Sequence, residues 1–249
     1  MSVKPNDVPH EWGKLLGGLI AVFALFQLLA HTLGSDRGQA GLAIAAAVIA
    51  ALLTIECFLF GRTPAMAMRL LGLGPPTALG IIVAAALSGM LLAVIPVYAS
   101  MRGAPLAVYP GWIWLLPGLF AQAGIAEEVL FRGYLFRRLR RGRSFWKAAL
   151  LSAVPFVAVH LFMFATLPWL IAFAAVLLAT AISFPLAHLF ELGGHSIWGP
   201  ALLHFTVQGA IKVLEVPGDA FMPIVWMAAS AAIPCLAFFI PRPVLALRS

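Results

Sequence analysis

Three short stretches of this chain combine residue types that can move protons. Ala126-Glu127-Glu128-Val129-Leu130-Phe131-Arg132-Gly133 sets two carboxylates beside a guanidinium. Phe156-Val157-Ala158-Val159-His160 ends on an imidazole, and His204-Phe205-Thr206-Val207-Gln208 spaces an imidazole and a carboxamide by four positions. Helical residues four apart share a face, so Glu128 and Arg132 are placed to pair, and His204 and Gln208 to act together. Adjacent helical side chains point about 100° apart. Glu127 is therefore directed away from the pair, where it can hold or deprotonate a water. N–H groups of imidazole and carboxamide can donate toward an oxyanion as it develops. Each stretch alone also fits a plainer reading, as a charge cluster at a membrane edge or a histidine bonding between helices. Their occurrence on three separate segments favours a site assembled from facing helices.

The elements that must position these groups are membrane helices. The chain has 249 residues, of which 63% are hydrophobic and 10% charged, with a mean hydropathy of +1.02. A soluble domain carries about a quarter charged residues, and disorder requires low hydrophobicity, so both classes are excluded. At about 20 residues per span, this length holds about eight helices. Apolar stretches fall at Leu15–Leu33, Ala40–Phe60, Thr77–Ala99, Trp112–Leu130, Phe145–Phe164, Trp169–Leu189, Ile197–Leu214 and Phe221–Ile240. Pro96, Pro117, Pro155, Pro185 and Pro234 are tolerated there as kinks. Turn chemistry separates the stretches at Gly34-Ser35-Asp36, Gly72–Pro76, Arg102–Pro105, Gly193-Gly194 and Val216–Asp219. The expectation is an all-α, polytopic membrane helix bundle in which residues 1–249 form a single transmembrane domain. The first helix reads as retained, since its apolar run is long for a signal core and no small-x-small site follows it. Cys57 and Cys235 read as small core residues.

The net charge of +7 is an orientation signal. With the N-terminus in the cytoplasm, only Arg37, Arg102 and Lys212 of the 16 Lys and Arg fall on the far side, which supports N-in, C-in topology. The partner is then the lipid bilayer and not nucleic acid, and the cluster Arg137–Arg143 is placed to touch anionic headgroups. The expected location is an integral, multi-pass protein of the cell (inner) membrane. Ionisable groups inside hydrocarbon are costly, so each is a functional candidate: Glu56, Glu127, Glu128, Arg132, His160, His188 and His204, with Gln122 and Gln208 adding uncharged polarity. Glu56 and His188 lie near predicted helix ends and are expected to reach water. His188, Glu191 and His195 are at helix-like spacing, but Gly193-Gly194 interrupts it, and a solvated connector is expected there.

Glu-Glu-x-x-x-Arg, then Phe-x-x-x-His, then a histidine followed four residues later by an amide resembles the CPBP family. These are the CAAX-processing and bacteriocin-immunity-associated intramembrane proteases, which include the Ras-converting endopeptidases. The resemblance spans about Gly118–Gln208, within a protease-like core at about 112–214. It implies that Glu127 is the glutamate that activates water and that His160 works with it. Glu128 and Arg132 match the supporting glutamate and arginine. His204 matches the third-motif histidine of the oxyanion site. The residue four beyond is commonly Asn or Asp; here it is Gln208, one methylene longer. The implied substrate is a membrane-embedded or prenylated peptide or protein.

The reading is peptide-bond hydrolysis within the membrane, with Glu127 as general base, His160 orienting water, and His204 with Gln208 stabilising the oxyanion. No cofactor is required, although two His and one carboxylate at Glu127, His160 and His204 are also zinc ligand types. No His-Glu-x-x-His pair is present on one helix. A non-catalytic scaffold or bacteriocin-immunity protein keeping the protease fold is the alternative. A small proton- or ion-coupled transporter is a further one, against which stands the lack of repeated broken helices. For Glu127 and His160 to meet in depth, the Glu127 helix must begin deeper or extend through Phe136, or the Phe145 helix must begin outside the hydrocarbon. Phe162, Phe164, Trp169 and Phe173 could line a lipid-facing entrance but read equally as packing.

Overall fold

Long runs of Ala, Leu, Ile and Val without water to compete for the backbone leave the helix as the self-sufficient arrangement, and the computed structural model, which describes residues 8–33 and 38–242, is helical almost throughout. The turn at Gly34-Ser35-Asp36 and the charges Lys4, Arg37 and Arg248 lie outside the described residues. In chain order the elements are α1 (Val8–Thr32), α2 (Gly41–Leu59), α3 (Pro64–Leu70), α4 (Ala78–Arg102), α5 (Trp112–Arg140), α6 (Phe145–Ala165), α7 (Trp169–Leu192), α8 (Trp198–Val213) and α9 (Met222–Phe239). Hydroxyl caps set several starts. Thr77 Oγ1 accepts the Gly80 N–H at 3.1 Å and donates to Leu192 O at 2.8 Å, tying α4 to the end of α7. Pro96, Pro117, Pro155 and Pro185 all lie inside helices.

Seven of the helices are long and apolar enough to cross a membrane. By their length and composition they make an all-α, multi-pass bundle. The eighth apolar stretch became α8, of 16 residues. It packs against α4, α5 and α7, with Leu203 and His204 wholly buried. Surrounded by protein, it need not match the bilayer thickness, and it still joins the two ends of the bundle. At one end Ile197 N–H donates to Gly72 O, and at the other Tyr109 N–H donates to Val213 O. A two-residue antiparallel pair closes that second end, β1 (Ala107–Val108) with β2 (Leu214–Glu215), in register Ala107↔Glu215. Arg102 and Tyr98 meet Asp219 there.

The opposite end gathers the arginines, and they are used structurally. Glu56 is not at water: it is fully buried on the widened π turn Ile55–Leu59, paired with Arg138 at 2.5 Å. The Arg138 guanidinium is stacked between Phe60 (4.2 Å) and Tyr134 (4.4 Å). His188 and Glu191 also depart from the solvated connector expected, being 3% and 8% exposed. Glu191 pairs with Arg140 and Arg242, and His188 Nε2 lies 3.0 Å from Ile240 O. Cations that the hydropathy pattern assigns to solvent are thus the partners that let these carboxylates be buried. Cys235 likewise differs from the core position expected, since it faces outward.

The depth conflict is resolved by α5. It runs unbroken for 29 residues from Trp112 to Arg140, beyond the boundary near Leu130 that hydropathy marks, and this places Glu127 near mid-span. Within it Phe120–Ala126 and Val129–Phe136 are π-helical, flanking Glu127 and Glu128. π turns in otherwise α-helical segments are frequent at functional sites.

Candidate active site

The site is built on α5, α6 and α8. Glu128 is completely buried, and its Oε1 accepts from Arg132 Nη1 at 3.0 Å and from His204 Nδ1 at 2.7 Å. The expected pair at four-residue spacing therefore forms, and it is one arm of a triad. Arg132, also buried, extends Nη2 toward Ser183 O on α7 at 3.4 Å, and its guanidinium lies 4.5 Å over the Phe156 ring. Charge, hydrogen bonding and cation–π contact together offset the desolvation of the guanidinium. Glu128 Oε2 has no hydrogen-bond partner among the described residues.

Proton positions follow from which atoms can only accept. An ionised carboxylate has no proton to give, so His204 Nδ1 carries one toward Glu128. In the neutral ring, Nε2 is then an acceptor, and it takes an N–H from Gln208 Nε2 at 2.8 Å. The expected pairing of His204 and Gln208 on one helical face is present. Their relation is sharper than two parallel donors: Gln208 keeps a second amide N–H to offer, while His204 Nε2 can donate only when the ring is protonated.

Glu127 is treated differently from its neighbour. Its side chain is 17% exposed, and Oε2 lies 3.8 Å from His204 Nε2. It makes no hydrogen bond to any described residue. The two adjacent glutamates consequently face the two nitrogens of one imidazole. Glu127 and Glu128 themselves form the α-helical step between the two π segments, with ordinary right-handed helical dihedrals. His160 ends the α-helical part of α6. Its Nδ1 is 2.7 Å from Phe156 O; a carbonyl only accepts, so Nδ1 holds a proton, and in the neutral ring Nε2 presents a lone pair. His160 reaches the triad through Phe156, whose ring lies 4.9 Å from the His160 ring and 6.1 Å from that of His204. No direct hydrogen bond joins His160 to Glu127 among the described residues. The platform role of Phe156 was not visible in the sequence, where it only marked the spacing to His160.

For a metal, Glu127, His160 and His204 supply fitting atom types, but both nitrogens of His204 are engaged by Glu128 and Gln208. Among the described residues no group of three or more His, Cys, Asp or Glu is arranged to hold an ion. Close approach of α5 and α8 depends on Gly124: a Cβ there would stand 2.7 Å from Ala201 O. Gly124→Ala is expected to push His204 from Glu128 and to cost about 1–3 kcal/mol, read as a thermal midpoint lowered by several degrees in detergent. An unchanged midpoint would mean that the crossing is looser than drawn.

Residues 109–210 match the family model of the Rce1-like type II CAAX prenyl endopeptidases. That segment, 102 of the 249 residues, is similar to the CAAX endopeptidase family. It contains every site residue above, from Glu127 to Gln208, and it supports the CPBP relationship that the three motifs carry. No curated protein and no solved structure matches the chain.

Proposed function

We propose that the chain is an intramembrane endopeptidase that hydrolyses a peptide bond of a membrane-associated, prenylated substrate, with Glu127 activating the water. The observation that carries this reading is the contrast between the two glutamates. Glu128 is consumed by Arg132 and His204, whereas Glu127 is partly open and makes no hydrogen bond within the described protein. Glu127 takes a proton from water as the oxygen attacks the scissile carbonyl carbon. His160 Nε2, with its lone pair, orients that water. The tetrahedral oxyanion receives the second N–H of Gln208, joined by His204 Nε2 when that ring is protonated. Collapse breaks the C–N bond, and the leaving amine takes the proton back from Glu127. The arginine-rich end faces the cytoplasm on the positive-inside rule, which brings a cytoplasmic C-terminal peptide toward the site.

Cleavage of a prenylated C-terminal peptide by membranes carrying the protein, followed by mass spectrometry, tests the reading. His160→Ala is expected to lower the rate by roughly 10²-fold or more, and wild-type cleavage is expected to survive dialysis against a chelator. Zinc restoring a lost activity would instead put Glu127, His160 and His204 around a metal. A second reading, a scaffold or immunity protein keeping the protease fold, is favoured by the Gln208 amide occupying His204 Nε2. It requires peptide profiles that are identical with and without the protein.

A further inference from the structure

A cavity of about 520 Å³ opens at the arginine-rich end of the bundle, on residues that the hydrolytic reading does not use. Its wall is formed where three spans begin or end: Leu73–Pro75 precede α4, Arg137 lies in the last turn of α5, and Gly194–Ser196 follow α7. Two guanidinium-bearing residues line it, Arg69 and Arg137, and no carboxylate does. The nearby acids are already committed, Glu56 to Arg138 and Glu191 to Arg140 and Arg242. Arg137 is aimed by two carbonyls at the end of α3, Arg69 O at 2.7 Å and Leu70 O at 3.4 Å. Arg69 forms no ion pair among the described residues. Two cations sharing a cavity without an anion is an arrangement that a bound anion would relieve.

The rest of the wall narrows the class of anion. Ala65, Met68, Leu73 and Pro75 give it an apolar side, as a ligand with a charged head and a greasy continuation requires. His195 stands in the left-handed region at φ 64°, the only side chain other than glycine to do so among the described residues. Such a conformation persists where the surroundings hold it. Burial, with Arg137 and Arg140 close by, pushes its imidazole down to about 4, so at neutral pH it offers an N–H and no further charge. Basic pockets at the membrane boundary between spans suit lipid headgroups.

We propose that this cavity is a binding site for the phosphate of an anionic phospholipid headgroup, held by Arg69 and Arg137 with His195 as a further donor. The site is independent of the hydrolytic reading and stands or falls without it. The test uses the full chain in neutral detergent, with dihexanoyl phosphatidylglycerol as probe and dihexanoyl phosphatidylcholine and inorganic phosphate as comparisons. Phosphatidylglycerol is expected to raise the thermal midpoint saturably by roughly 5 °C, with the comparisons moving it by less than about 1 °C at equal concentration. Measured against each variant's own midpoint, Arg69→Gln is expected to remove at least half of the shift and Arg69→Gln with Arg137→Gln to abolish it. Arg141→Gln, an exposed cation that does not line the cavity, is expected to leave it intact. Equal shifts with inorganic phosphate or with the choline lipid, an undiminished shift in Arg69→Gln, or a loss in Arg141→Gln as large as in Arg69→Gln would each overturn the proposal.

Discussion

Glu127→Gln is expected to abolish peptide cleavage, lowering the rate by roughly 10²–10⁴-fold, while leaving the protein folded. Gln has nearly the same volume and can still hold a water, but it cannot take its proton. The stability expectation comes from the surroundings. Glu127 contributes no hydrogen bond among the described residues, and its nearest ionisable contact is His204 Nε2 at 3.8 Å. Removing its charge leaves the triad of Glu128, Arg132 and His204 complete. The checks are release of the C-terminal peptide in reconstituted vesicles and the thermal midpoint in detergent. Cleavage within a few-fold of wild type would exclude Glu127 as the base. Lost cleavage with a collapsed midpoint would instead assign it a structural role.

Spacing along one helix was legible in the sequence because it is a local property. Glu128 with Arg132, and His204 with Gln208, are each four residues apart and meet as the helical face requires. The fold class was legible for a similar reason, since hydropathy is summed over a window. What sequence could not reveal is long-range. The Glu56–Arg138 and Glu191–Arg140 pairs join residues 82 and 51 positions apart, so nothing near either carboxylate tells that it will be buried. A run of arginines reads as solvated until its acids are located. The same blindness set the expected end of the Glu127 helix ten residues short: Leu130 is where hydropathy falls, but neutralised arginines let α5 continue to Arg140. The π turns that flank the two glutamates leave no clear sequence mark.

Glu128→Gln is expected to do the reverse of Glu127→Gln and to attack the fold first. Glu128 is fully buried, and Oε1 alone receives both Arg132 and His204. Taking one partner out of a buried ion pair leaves the other charge uncompensated, at a cost of about 3–5 kcal/mol. For a chain of this size that lowers the thermal midpoint by roughly 6–20 °C. The neutral amide also no longer obliges His204 to keep its proton on Nδ1. The Gln208 N–H would then lose its acceptor at Nε2, and cleavage is expected to fall even in the folded fraction. Pairing Glu128→Gln with Arg132→Met separates the two effects. Removing the stranded guanidinium is expected to recover most of the midpoint, with Met filling space against Phe156, but not the activity. The measurements are thermal unfolding of all three proteins in one detergent and cleavage by equal amounts of folded protein. Should Glu128→Gln keep the wild-type midpoint and lose only cleavage, the carboxylate that works on water is Glu128, and Glu127 is its neighbour.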